Sequence, residues 1–536
     1  MSSRTPWTTA SSSRRARRTA PGPGPGPDGG GGPVARLHDG VRHLRRVRGL
    51  FRRQPRAIWW TFAALHAAVF VALTPLMLRG GAEGDLPLYR TWATGALSEG
   101  RWPVMDFAWV YPAGALLPVV LPNVLGESLY QLVWLLLVTA ANAASLWLLT
   151  DRGRRTVDAP AAWWWLLVLF LLSPVAFLRL EAFSAPAVVA ALLLLGTRPR
   201  VAGALLAAAT WVKVWPAAVI AAVVVASRGR ATVVRACLWV TLVVVAVVAV
   251  GGGLSSVDSF VTMQSDRALQ LEAPLATPWL WMAMLGVPGA SVYENVGLAT
   301  REVMGPGDTW AVHGSTQAMG VVMVLLVGLL AVAAAGRARA GRAGVAPAGA
   351  GRAGVAPAGV DGTAHAGHES RLVLLGALTL TITLIVFNKV GSPQYVLWIA
   401  PVVAAGLWAD AAAFRAPARL VAWAAGLTTL VFPVLYLPLI DLNPVAVAVL
   451  GARNVLLVVL FCWCVLRLVE EALAAWGREL PPRWWSRRVR SVRVPVPVAV
   501  LADATAASSA TAASSATAAS SAPSSAVHSR GARRSS

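Results

Sequence analysis

The chain has 536 residues, 57% of them hydrophobic and only 13% charged, with a mean hydropathy of +0.62, which excludes an ordinary soluble domain and describes a polytopic membrane protein. The formal net charge of +23 does not imply a nucleic-acid partner: the arginines crowd into the two tails and the short loops between apolar runs, the positive-inside pattern of a membrane protein. Cys237, Cys462 and Cys464 lie in apolar runs without metal-ligand spacing, so neither a disulfide framework nor a metal site is expected, and no cofactor.

Residues 1–56 are rich in Ser, Arg, Gly and Pro and cannot bury enough apolar surface to fold, so a disordered basic cytoplasmic tail is expected there. Ala57 to Leu78 supplies 22 residues without a formal charge, enough to cross a hydrocarbon core of ~30 Å at ~1.5 Å per residue. His66 within it is a functional candidate by position, although a neutral histidine packed between helices is the better explanation of a lone one. From Arg79 to Pro112 a polar and aromatic loop follows, with Glu83, Asp85, Glu99 and Asp106 interleaved with Tyr89, Trp92, Trp102, Trp109 and Tyr111. Such rings stack on the apolar face of a pyranose while a carboxylate accepts hydroxyl protons; the same composition suits a solvated loop with an interfacial aromatic belt.

Pro112 to Gly126 is apolar but short and proline-broken, a partly embedded helix rather than a crossing. Further crossings are expected at 128–150, 160–178 and 182–196, with Arg179 and Glu181 as a polar connector on the outside. The run 201–226 is broken at Lys213 and Pro216 and has basic ends, so it reads as a hairpin of two helices. Then come 231–252, a long outside segment 253–316, and a return at 317–335. The segment 336–371, where GRAGVAPAGA recurs almost unchanged, is a low-complexity cytoplasmic linker. Crossings at 372–388, 393–408, 417–440 and 447–468 complete the membrane part, and 469–536 is a disordered basic, Ala/Ser-rich cytoplasmic tail. The expected fold is all-α, a polytopic transmembrane helical bundle of about 10–12 crossings with both termini cytoplasmic. Its domains are the tails, an N-terminal membrane part 57–335 with outside loops 79–127 and 253–316, the linker, and C-terminal membrane helices 372–468.

Of 47 basic residues only Lys213 and Lys389 are lysines, and both sit at interruptions of membrane segments. A lysine there can bind phosphate as a compact point charge or snorkel to a headgroup. Around Lys389, FNKVGSPQYVLW breaks the helix at Gly391 and Pro393 and adds Gln394 and Tyr395; irregular backbone at membrane depth is tolerated where it lines a cavity. In the segment 263–278, Arg267 is followed closely by Gln270 and Glu272, which as a bare pattern is a solvated amphipathic loop.

In order, GDLPLYRTWA with Asp85 and Tyr89, the Tyr111-Pro112 entry, Lys213 to Pro216, RALQLE from Arg267 to Glu272, and KVGSPQY from Lys389 to Tyr395 resemble a known family over residues 57–468. The chain looks like the GT-C type integral-membrane glycosyltransferases, and most like the polyprenyl-phosphate-mannose-dependent α-mannosyltransferases of glycosyltransferase family 87. Two positions depart from the family pattern: Ala113 follows Tyr111-Pro112 where a second proline is common, and Ala273 follows Glu272 where serine is usual. The resemblance implies an active site on the extracytoplasmic first loop, with Asp85 as the base of an inverting transfer of a hexose, mannose by resemblance, from a polyprenyl-phosphate sugar to a cell-envelope glycolipid or glycan. It further implies that Tyr89, Tyr111, Lys213, Arg267, Gln270, Glu272, Lys389, Gln394 and Tyr395 meet the donor phosphate or sugar, with Asp106 and His313 as secondary candidates. The setting would be the plasma membrane, with membrane lipids as surroundings and no nucleic acid involved; the residues offer no convincing metal site. A reading from another class is a transporter or lipid-linked-sugar flippase, because broken helices and intramembrane charges also mark transport sites; an inverted internal repeat would favour it, and none is visible.

Overall fold

Each apolar run forms a helix, the conformation that satisfies its own backbone where water is absent. The computed structural model describes residues 56–263, 267–296, 300–342 and 361–478. The tails expected at 1–56 and from 479 on, and the repeats of the linker between 343 and 360, lie outside the described residues apart from Arg56. The described helices belong to one unit that ends at Gly477.

Helix α1 (Ala57–Met77) is followed by a departure from the sequence reading. The stretch read as a loop contains α2 (Leu86–Ser98), which has Asp85 at its N-cap position and Pro87 in its first turn. Its buried residues Leu86, Tyr89, Ala93 and Ala96 follow a helical stripe, a period that the polar and aromatic residues between them obscure. After a short α3 (Leu116–Val120) come α4 (Tyr130–Leu149), α5 (Pro160–Leu171) and α6 (Glu181–Leu194). Helices α7 (Pro199–Val212) and α8 (Pro216–Ala226) flank an extended Lys213, and proline at the first position of α8 costs nothing because that N–H has no intrahelical partner. Helix α9 (Arg230–Val250) leads into the segment read as a solvated loop. There the chain folds into α10 (Ser259–Thr262), α11 (Thr277–Met284) and an antiparallel hairpin of β1 (Ser291–Asn295) and β2 (Thr300–Met304), with Val292 opposite Val303.

Helix α12 (Thr309–Arg342) runs past the expected end at 335, because its Ala- and Arg-rich continuation consists largely of strong helix formers. Helix α13 (Asp361–Val386) begins inside the segment read as linker. Then follow α14 (Val396–Ala409), α15 (Arg415–Thr429), α16 (Tyr436–Ile440) and α17 (Pro444–Ala475). The crossing expected at 417–440 is interrupted by a π-helical turn at Leu430–Val434 that contains Pro433.

Among the described residues, six helices are long and apolar enough to cross a membrane, and seven shorter apolar helices add to them. The protein is an all-α polytopic membrane protein. Its core is α14, buried at every position from Val396 to Leu407 and packed against α5, α6, α13 and α15. At the periphery, α9 leaves Leu238, Trp239, Leu242, Val243, Val247 and Val250 exposed. In water that face would be an aggregation hazard; against lipid tails it costs nothing.

Candidate active site

The site starts at a turn. Gly84 adopts φ +68°, and a Cβ there would lie 3.1 Å from Cβ of Leu178, so the residue before Asp85 packs directly on the residue before Arg179. That approach lets Arg179 Nη1 pair with Asp85 Oδ1, while the Tyr89 hydroxyl, one turn into α2, donates to Asp85 Oδ2 at 3.1 Å. The carboxylate makes no side-chain cap for α2 although it occupies the capping position. Burial, helped by Tyr111 and Asp85, holds the Tyr89 hydroxyl well above its ordinary pKa, so it stays a neutral donor. Burial works against the charge of Arg179, but Asp85, Tyr89 and Glu181 together outweigh it and the guanidinium is held more firmly protonated. The Tyr111 hydroxyl lies 3.5 Å from that of Tyr89.

Rings wall this carboxylate. Tyr89 stacks near Trp92 at 6.1 Å, Trp92 meets Trp109 edge-on at 5.4 Å, and Trp109 meets Tyr111 in the same way at 5.5 Å. Ser259 of α10 anchors the wall: its Oγ accepts from the Trp109 N–H and donates to the Trp109 carbonyl, each at 2.9 Å.

Behind Tyr111 stands a second charged pair. Lys213 Nζ lies 4.6 Å from the Tyr111 ring centroid and 3.4 Å from Glu181 Oε1. Trp398 Nε1–H donates to the same Glu181 oxygen at 3.1 Å and stacks on Trp215 at 6.4 Å. The Tyr395 ring packs against Trp398 at 3.8 Å, and its hydroxyl is within electrostatic reach of Lys213, Glu181, Arg267 and Tyr111.

The last part comes from two irregular segments. The Gln270 N–H donates to the Lys389 carbonyl at 2.9 Å, and Gln270 Oε1 accepts from the Gly391 N–H at 3.2 Å. A Cβ on Gly391 would sit 2.3 Å from the backbone of Ala273, so only glycine permits this approach. Glu272, 3% exposed in the connection before α11, has its carboxyl pushed up to about 7 by burial, against the opposing pull of Arg453 on α17, and the field of Arg179 reaches it as well. Lys389 and Gln394 are both buried, and Gln394 Oε1 has no partner among the described residues.

The structure therefore gathers Asp85, Tyr89, Tyr111, Lys213 and Tyr395 into one network, reaches Arg267 and Glu272 electrostatically, and ties Gln270 to the Lys389–Gly391 segment. Asp106 is exposed and closes its own turn by accepting from the Trp102 N–H at 2.6 Å, and His313 is exposed near the start of α12. Neither shares a hydrogen bond, ion pair or ring contact with the network among the described residues. Sequence reasoning passed over Arg179, Glu181, Trp398 and Arg453. The signal for the first two was present: an Arg-Leu-Glu triplet between long apolar runs is costly unless both charges find partners, yet it reads as a solvated connector.

The family model of glycosyltransferase family 87 matches residues 109–356. No curated protein and no solved structure matches the chain. The matched stretch contains Tyr111, Arg179, Glu181, Lys213, Arg267, Gln270 and Glu272, while Asp85 and Tyr89 precede it and Lys389, Gln394 and Tyr395 follow it. Together with the helices long and apolar enough to span a membrane, the match over residues 109–356 makes the chain similar to glycosyltransferase family 87 and supports an integral-membrane glycosyltransferase.

Proposed function

We propose that the enzyme transfers a hexose, mannose in the reading that the family resemblance favours, from a polyprenyl-phosphate sugar to a hydroxyl of a cell-envelope glycolipid or glycan, with inversion. The observation that carries this reading is the Asp85 carboxylate, held by Arg179 and Tyr89 beside an aromatic wall with Lys213 behind it. A carboxylate has about four lone-pair sites, so with one oxygen on Arg179 and the other on Tyr89 it retains acceptor capacity for an acceptor hydroxyl. Asp85 takes that proton as the acceptor oxygen attacks the anomeric carbon. The bond from the anomeric carbon to the phosphate oxygen breaks, and the lipid phosphate leaves with the electron pair. Charge then grows on the phosphate, where fixed cations stabilise it most; Lys213, Arg267 and Lys389 serve there, and Tyr89, Tyr111, Gln270, Glu272, Gln394 and Tyr395 contact the donor. The enzyme works at the plasma membrane with both termini cytoplasmic and the segments 79–127 and 253–316 outside.

The test is reconstitution of the full chain in vesicles with labelled polyprenyl-phosphate mannose and a lipid extract of acceptor-bearing membranes. A new labelled glycoside is the expected product. Label entering only from a nucleotide sugar, or donor moved across the bilayer with no glycoside formed, would overturn the reading.

A further inference from the structure

Arg179 and Glu181 stand on either side of Leu180, which is wholly buried, at the entry to α6. The first pairs with Asp85 and the second with Lys213. One rigid corner of backbone thus carries a cation to the carboxylate and an anion to the amine. Glu181 is itself completely buried, and its Oε2 has no partner among the described residues. A buried carboxylate left without its counter-charge costs several kcal/mol, and Lys213 Nζ at 3.4 Å is the counter-charge this one has. Its other oxygen, the one facing Lys213, is fixed from one further side: Trp398 on α14 donates to it, and Trp398 is itself held by Trp215 at the entry of α8, which stacks on it while donating to Ser184 Oγ at 3.2 Å. The side chain is therefore held rather than draped.

Lysine presents three N–H donors. Glu181 engages one side of the ammonium and the face of Tyr111 another, which leaves donor capacity for a ligand.

We propose that Glu181 is the positioning residue for Lys213, holding the ammonium over Tyr111 where it meets the phosphate of a lipid-linked donor, and that the Arg179–Leu180–Glu181 corner fixes the span from base to phosphate. This rests on the donor reading above. Without Glu181 the lysine has four rotatable bonds and no fixed place, so donor binding loses its pre-organisation.

The chain offers a direct probe because Lys213 and Lys389 are its only lysines. Reductive methylation by a small aldehyde, read by mass spectrometry, needs the neutral amine. In the full chain, Glu181→Gln keeps the hydrogen bond to Trp398 and removes the charge, and should speed methylation of Lys213 by ~10-fold or more, the effect of losing an opposite charge at this distance, while Lys389 keeps its rate. In transfer assays the same variant should lower kcat/KM about tenfold, with kcat falling as well as donor KM rising, because the displaced ammonium no longer meets the charge that grows on the leaving phosphate. Glu181→Gln combined with Lys213→Met should be no worse than Lys213→Met alone, because coupled residues are non-additive; the double variant also leaves no lone buried charge and guards against misfolding of the single one. Unchanged methylation of Lys213, or additive losses in the double variant, would overturn the proposal. A wild-type enzyme that ignores the polyprenyl-phosphate donor would sink the donor reading instead, and the methylation result would still decide whether Glu181 holds Lys213.

Discussion

Glu272 is a residue through which pH acts on the fold. Burial lifts its carboxyl from 4.5 to about 7, with Arg453 pulling the other way. The folded protein then holds a proton that the unfolded chain has already lost, so between these values the native state binds more protons and stability falls as pH rises. The loss from this group begins near pH 4.5 and is complete above about 7. Thermal unfolding of the protein in lipid should therefore weaken more across this window in the wild type than in Glu272→Gln, which is neutral throughout; identical slopes would show that Glu272 is not buried as described. Glu272 also illustrates what residues reveal by themselves. Its place in RALQLE marked it as a candidate, but in the bare sequence a carboxylate beside an arginine reads as solvated. Its counter-charge, Arg453, lies on another helix far along the chain, and no local spacing announces that partnership. The pairs Asp85–Arg179 and Glu181–Lys213 have the same character.

At the scale of elements, length and breakers were readable because the bilayer sets the first and backbone chemistry the second. The interruptions at Lys213–Pro216 and Gly391–Pro393 stand where the residues place them. Helix α2 was not readable, since its stripe of Leu86, Tyr89, Ala93 and Ala96 includes two small residues among tryptophans and charges that carry no period. Nor was the β1–β2 hairpin, whose strands are short and only partly apolar; it is held by backbone pairing to the Leu269–Leu271 segment, with Leu271 N–H on the Arg301 carbonyl and Val303 N–H on the Leu269 carbonyl, each at 2.9 Å. That pairing presses the segment against Gly391. Because the obstructing atoms are backbone, Gly391→Ala cannot be absorbed by a rotamer change and should cost ~1–3 kcal/mol, as overpacking does. Thermal unfolding should show the loss together with weaker donor binding. An unaltered melting temperature would mean that the two segments have slack.

Across the whole molecule, the exposed apolar face of α9 and the buried polar network describe a protein turned outward to lipid and inward to a polar substrate. The proposed orientation rests on the arginines rather than on packing. In a background without native cysteines, Ser98→Cys should react with an impermeant thiol reagent in intact cells and Ala350→Cys only after permeabilisation. Equal labelling of both in intact cells would reverse or redraw the topology. The proposed mechanism turns on one carboxylate, and Asp85→Asn keeps its size and one acceptor oxygen while replacing the other with an amide donor and removing its basic lone pair. With the purified variant in vesicles, labelled polyprenyl-phosphate mannose and acceptor lipid, glycoside formation should fall by ~10²–10⁴-fold, the usual contribution of a general base, while donor binding persists. Wild-type turnover by Asp85→Asn would contradict the account.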